Sequence, residues 1–350
     1  MRALTVQPGI SGSATVREMP EPAAADGPVV VDGLAMGVCG TDIEISAGEY
    51  GQAPQGEDHL ILGHESLGRV REAPADSGLA AGDLVVGIVR RPDPVPCANC
   101  AVGEWDMCRN GRYTERGIKA LHGYGSERFR LHPEFAVRLD AGLETVGVLL
   151  EPTTVVAKAW EQIERIGSRA TWHPRRVLVT GAGPIGLLAA LLAVQRGLEV
   201  HVADRVTEGP KPRLVADLGA QYHTTPVGEL NLDADVVVEC TGVPSVVFDV
   251  IGRNAPDAVV CLTGVSPVNR TLSVDAGGLN RKIVLQNDVV FGSVNANRRH
   301  YEEGARALAA ADTHWLERLI SRRVNLADAH DALTRRPDDV KVVIDLQGAG

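Results

Sequence analysis

Three observations predict an α/β chain with two domains, one built on a doubly wound parallel sheet and one rich in β structure. A glycine triplet stands between a strand-like and a helix-like run near residue 181. Strand-like runs alternate with helix-length segments from about 156 to 297. The first 155 residues instead carry short apolar runs broken by Gly, Pro and Asp turns. At 350 residues the chain is long enough for two cores.

In chain order, PVVVDGLAMGV, HLILGHESLGRVREA, GDLVVGIV and SERFRLHPEFAVRL read as strands of the first domain, residues 1–155. From Thr154 the run VVAKAWEQIERIG has helical spacing. RRVLVT (175–180), GAGPIGLLAALLAVQRG and EVHVAD (199–204) then make a βαβ unit. DVVVECTG (235–242), AVVCLTG (258–264) and DVVFGSV (288–294) continue the parallel sheet, so the second domain covers 156–297. The tail, 298–350, carries a helical stretch, EEGARALAAADTHWLERLI, and a last strand, VKVVIDL. It is expected to complete the first domain.

Composition narrows the function. Net charge is −10 and aromatics make up 4% of residues, which argues against a nucleic-acid binder needing a basic face and stacking platforms. MRALTVQPGI lacks a signal-peptide core, and LLAALLAVQRG is too short to span a membrane. A cytoplasmic protein is expected, in which six reduced cysteines favour thiolate–metal chemistry over disulfides.

Gly181, Gly183 and Gly186 spell G-x-G-x-x-G directly between strand and helix, the setting of a Rossmann dinucleotide site. The first turns the chain, the second admits a pyrophosphate, and the third lets helix and strand pack closely. Pro184 and Ile185 open the helix whose N-terminus stabilises the phosphate charge. Asp204 ends the next strand and suits the ribose hydroxyl of NAD. Arg205, with Lys211 and Arg213 nearby, suits the 2′-phosphate of NADP unless it is a solvated loop charge, so either cofactor is expected. Further turns at Thr241, at Gly264 and Val265, and at Ser293 and Asn295 would approach the cofactor through backbone, or serve as turns only.

Three separated places supply metal-ligand residue types: Cys39 in GVCGTD, His64 and Glu65 in LGHESLG, and Glu151 in LLEPTT. Such a mixed set suits a zinc that keeps a position for water or substrate. Thr41 offers a hydroxyl to pass a proton outward. Each has a plainer reading: Cys39 as a small buried hydrophobe, His64–Glu65 as a surface pair, Glu151 as a helix cap.

GVCGTD, GHESLG and GAGPIG, in this order, resemble the zinc-dependent medium-chain alcohol and polyol dehydrogenases over essentially the whole chain. VRRP, YTERGI, HGYGSE, LLEPTTVVAKAWE and GSVNAN are similar to the glucose 1-dehydrogenases of that superfamily. The resemblance implies a GroES-like catalytic domain beside the Rossmann domain. It implies a catalytic zinc on Cys39, His64 and Glu65, with Glu151 close by or ligating, and Thr41 as proton relay. It also assigns Glu115 and Asn295 to sugar hydroxyls, where otherwise they are a loop acid and a turn asparagine.

PCANCAVGEWDMC holds Cys97, Cys100 and Cys108. They match the last three positions of the four-cysteine structural-zinc lobe of these relatives. Pro94 falls at the first, so Asp93, if the loop shifts, or a water would supply the fourth ligand. A structural zinc with an altered fourth ligand is expected, against an empty lobe or a redox pair. The redox reading lacks its βαβ setting.

The whole reads as a zinc-dependent NAD(P) oxidoreductase oxidising a secondary hydroxyl of a sugar or polyol, D-glucose to gluconolactone in type, with substrate between the domains. Rival substrates are a cyclitol, a sugar-like natural-product moiety or a threonine-type amino alcohol. A non-catalytic nucleotide-binding sensor and a zinc-free quinone-reductase-like protein are the rivals outside this chemistry. The resemblance also implies a homodimer or homotetramer.

Overall fold

The computed structural model describes residues 1–268 and 271–347. Contacts divide the chain into two units, Met1–Glu151 with the residues from Ala296 onward, and Pro152–Asn295. The divisions fall a few residues before those expected at 155 and 297.

The first unit is built on a seven-stranded sheet. Its path runs Ala136–Arg138, Leu84–Gly87, Glu65–Glu72, Val29–Val38, Lys341–Asp345, Ile320–Asn325, with Arg128–Leu131 also paired to Val29–Val38. Val29–Val38 is therefore the hub, and it is buried along nearly all of its length. The tail returns here: Lys341–Asp345 runs antiparallel to it, setting Val342 opposite Val38 and Ile344 opposite Met36. One hydrophobic cluster joins Leu4, Met36, Leu60, Leu62, Leu326 and Ile344 from widely separated segments.

The run HLILGHESLGRVREA is two strands rather than one, Leu60–Ile61 and Glu65–Glu72. Gly63 makes the break with φ +97°, and a Cβ there would meet the Met36 sulfur at 2.5 Å. The tail's helical stretch is likewise two helices, Arg298–Ala309 and Thr313–Leu319. The Asp312 side chain accepts the His314 N–H and caps the second, restarting the helix after a break.

The second unit carries six parallel strands in the order Gln221–His223, Glu199–Ala203, Arg176–Thr180, Val236–Glu239, Val259–Leu262, Val289–Gly292. The order reverses at Arg176–Thr180, the doubly wound arrangement that puts ligand sites beyond the strands' carboxyl ends. Gln221–His223 is absent from the sequence reading, because QYH is short and not alternately apolar. Helix Pro184–Gln195 is apolar on all sides, and Gly186 to Ala193 are buried without exception.

Candidate active site

Helix Gly40–Ser46 begins at Cys39, which is its N-cap. Asp42 closes a capping box by accepting the Cys39 N–H at 2.9 Å. The cap fixes Cys39 at the end of the hub strand, and the Gly63 corner delivers His64 and Glu65 beside it. One ligand atom from each of Cys39, His64 and Glu65 lies within 4.8 Å of the others.

A layer of supporting groups surrounds this trio. Asp42, fully buried, places Oδ1 3.5 Å from His64 Nδ1. A carboxylate on one ring nitrogen leaves the other as the ligating atom. Burial alone would lower the His64 pKa, but Asp42 and Cys39 hold it well above the usual histidine value. Glu65 is gripped through both oxygens by Lys341 Nζ, at 2.7 and 2.6 Å, and Lys341 also donates to the Val38 carbonyl at 3.1 Å. Both members of that pair are buried. A Cβ on Gly37 would lie 2.0 Å from Glu65 Oε2, so only glycine leaves room for the carboxylate. Among the described residues Asp42 Oδ1 and His64 Nδ1 are buried without a hydrogen bond. A half-buried thiol with a buried imidazole and a buried carboxylate, backed by charge, fits a zinc site with a position left open.

Glu151 is buried near this trio and is not one of the three convergent ligands. It sits inside the first turn of helix Leu150–Gly167, which begins earlier than sequence suggests, so the capping reading of Glu151 does not hold. Burial pushes its carboxyl up to about 7, with His64 opposing and Glu65 adding to the rise. Thr41 Oγ1 stands 4.0 Å from the Cys39 sulfur, in a half-buried position. Glu115 is buried on strand Thr114–Arg116, where Arg90 donates to its Oε1 at 3.0 and 2.9 Å. Arg90 also lies over the Tyr113 ring.

In the second unit the three glycines divide their duties. Gly181 has φ +87°, and a Cβ on Gly186 would meet the Gly181 carbonyl at 1.7 Å, so the protein itself requires both. A Cβ on Gly183 would meet nothing within 4 Å. That is the opening a close-approaching pyrophosphate needs, at the N-cap of the helix led by Pro184 and Ile185. Asp204 accepts from Ala182 N at 2.7 Å, Val206 N at 3.0 Å and Lys211 Nζ at 3.3 Å. Burial would raise its carboxyl, and these donors hold it below the usual range. Arg205 beside it is exposed.

Two site features escaped the sequence reading. Lys341 is one, hidden because a lysine opening a terminal strand gives no local hint of a buried partner. Glu239, fully buried, is the other. It accepts from Thr180 Oγ1 at 3.2 Å, Thr241 N at 2.7 Å and Gly242 N at 3.1 Å, and it also bonds Thr241 Oγ1. Its own carbonyl takes Thr263 N and Gly264 N. One residue thus ties the ends of three adjacent strands, its carboxylate holding Thr180, Thr241 and Gly242 and its backbone carbonyl holding Thr263 and Gly264. Val265 is exposed, Ser293 is buried with its hydroxyl unpartnered among the described residues, and Asn295 has φ +61°.

The sulfurs of Cys97, Cys100 and Cys108 gather within 4.8 Å. The Arg109 and Cys100 N–H groups lower the Cys97 thiol to about 6. Asp93, expected as the fourth ligand, is not in this cluster: its carboxylate accepts from Val95 N at 2.8 Å and Arg112 Nε at 3.3 Å. Its two oxygens face those donors rather than the sulfurs, so three thiols converge without that oxygen.

The alcohol dehydrogenase GroES-like domain matches residues 25–141, and the glucose dehydrogenase C-terminus matches 144–346. The chain is 43% identical to a glucose 1-dehydrogenase of Methanocella arvoryzae over 99% of both chains. It is 39% identical to that of Thermoproteus tenax over 99% of this chain and 100% of the other. Among solved structures it is similar to Haloferax mediterranei glucose dehydrogenase in complex with NADP, Zn and gluconolactone, with a TM-score of 0.92, 33% identity and full coverage of both chains. Among the described residues no helix is long and apolar enough to cross a membrane.

Proposed function

The chain belongs to the zinc-dependent medium-chain dehydrogenases, in their glucose dehydrogenase branch, and on that premise we propose how its own residues work. It is an NAD(P)-dependent oxidoreductase that oxidises a sugar hydroxyl, with D-glucose to gluconolactone as the type reaction. The convergence of Cys39, His64 and Glu65 carries this reading.

These three side chains hold the catalytic zinc, with Glu151 adjacent. Held there, a zinc would supply the Lewis acidity that makes a sugar hydroxyl more acidic, and a nicotinamide would supply the hydride acceptor. Asp42 keeps the His64 ring oriented, and Lys341 balances the Glu65 charge. Thr41 accepts the hydroxyl proton and passes it outward, so one hydride and one proton leave for each lactone formed. Glu115, held by Arg90, and Asn295 are the sugar contacts. Gly183 and the helix N-terminus receive the pyrophosphate, and Thr241, Gly264, Val265 and Ser293 border the cofactor. Asp204 meets the adenosine ribose, while exposed Arg205 is available to a 2′-phosphate, which supports use of both NAD and NADP. Cys97, Cys100 and Cys108 hold a structural zinc whose fourth ligand is not a protein carboxylate. All six cysteines are free, as a reducing cytoplasm keeps them.

A homodimer or homotetramer is supported by the edge of the parallel sheet. Among the described residues Val289–Gly292 pairs on one side only, with Val259–Leu262. The helix before it, Ala276–Gln286, buries none of its residues and exposes Val284 and Leu285. An open edge beside an apolar helix face is covered by a second copy in this reading.

One spectrophotometric panel tests the function: glucose, galactose, xylose, cyclitols and simple alcohols, each with NAD and NADP, following reduced nicotinamide. Aldose-dependent reduction that falls in Thr41→Ala with zinc content unchanged is expected. Turnover with cyclitols alone would replace the sugar assignment, and an unaffected Thr41→Ala would remove the relay.

A further inference from the structure

A third cluster of ligand-type side chains lies apart from both zinc sites. Glu57, His59 and His122 each bring one ligand atom within 4.8 Å of the others. Glu57 and His59 belong to the irregular segment between helix Gly40–Ser46 and strand Leu60–Ile61, and His122 follows strand Ala120–Leu121. His122 Nε2 lies 2.9 Å from Glu57 Oε2, and His59 Nε2 lies 3.3 Å from the same oxygen. The two imidazoles stack, with centroids 5.4 Å apart.

Proton placement decides what this arrangement is for. His59 Nδ1 sits 3.1 Å from Asp58 Oδ1. A carboxylate only accepts, so Nδ1 carries the hydrogen and Nε2 of neutral His59 is a bare lone pair. That Nε2 atom is buried and has no hydrogen bond among the described residues. It faces a carboxylate oxygen, and two lone pairs at that separation repel unless a cation stands between them. The His59–Glu57 spacing suits a metal, since tetrahedral bonds of about 2.0–2.1 Å put neighbouring ligand atoms about 3.3 Å apart, whereas the His122–Glu57 distance of 2.9 Å is that of a hydrogen bond and must open on metal entry. Asp58 behind His59 is the outer carboxylate that orients a metal-bound imidazole. His122 is set for the opposite state, because its Nδ1 accepts the Ile61 N–H at 3.2 Å. Metal entry therefore requires His122 to change tautomer and release that long hydrogen bond, so the site binds less tightly than the buried trio.

We propose that Glu57, His59 and His122 form a peripheral site for a borderline divalent cation such as zinc or cobalt(II), with Asp58 orienting His59. The side chains of Glu57, His59 and His122 are 38%, 17% and 25% exposed, so the ion enters from solvent. It cross-links segments 65 residues apart in sequence. One follows the helix capped by Cys39. The other adjoins the strand pair that carries Glu115. The site thereby braces the segments flanking the proposed sugar contact, and its existence does not depend on the sugar assignment.

The test uses the full chain, stripped of metal and loaded with cobalt(II) by dialysis. Bound cobalt is counted per chain, and thiolate-to-cobalt absorption reports the sulfur-ligated ions separately. Wild type is expected to hold one more cobalt than Glu57→Gln and one more than His59→Ala, with identical thiolate absorption in all three. Glu57 is exposed enough for its variant to fold normally. Equal cobalt counts in the three proteins overturn the proposal. So do histidine proton signals that titrate with pH and ignore added cobalt, which assign the cluster to proton sharing.

Discussion

The Cys39–His64–Glu65 trio and the Cys97–Cys100–Cys108 lobe gather their ligand atoms equally well, within 4.8 Å in both cases. They differ in what stands behind the ligands. The trio is backed by Asp42 and by Lys341, whose partner Glu65 is 276 residues away in sequence. Gly37 keeps the space open. The lobe draws all three sulfurs from one short segment and supports Cys97 with backbone N–H groups and the neighbouring Cys100 thiol, while Asp93 is turned to Val95 and Arg112. Ligand identity is thus a local property, and an oriented, charge-balanced site is a tertiary one. In the proposed reading the trio serves the chemistry and the lobe holds a loop.

Substitutions break this contrast in order of size. Cys39→Ala should take turnover to background and remove one zinc per chain by metal analysis; retained zinc with full activity would end the assignment of the trio. Lys341→Met leaves Glu65 buried without its cation. It should cost about 3–5 kcal/mol in denaturant unfolding, and an unchanged midpoint would mean that the pair is dispensable. Asp42→Asn should weaken zinc binding about 10- to 100-fold in chelator competition, as loss of an outer-shell partner does. Pro94→Cys sharpens the comparison from the other side by offering the lobe a fourth thiolate. Turnover should not change, zinc should leave the lobe more slowly, and the melting temperature should rise by about 2–4 °C per kcal/mol gained. Identical zinc release in Pro94→Cys would show that the lobe does not need a fourth sulfur.

Much of this was legible in the sequence. The strands Arg176–Thr180, Glu199–Ala203 and Val236–Glu239 follow their apolar runs, because a strand buried on both faces writes itself as continuous valine, leucine and alanine. The glycine triplet announced its turn because each glycine answers a local steric demand or a local opening. Gln221–His223 was missed because edge position, rather than composition, makes it a strand. Asp93 misled because two oxygens near three sulfurs look like a ligand until Arg112 and Val95 N are seen to occupy them.

Periodicity and turns are encoded between residues a few positions apart, so the sequence alone determined the two-domain α/β plan and the nucleotide loop, and it named Cys39, His64, Glu65 and Glu151 as ligand candidates without choosing among them. Lys341 beneath Glu65, Glu239 beneath three turns, and Glu57 facing two histidines were decided only by the tertiary structure. In each, a charged side chain meets its partners across the fold, and chain folding chooses those partners from anywhere along the 350 residues.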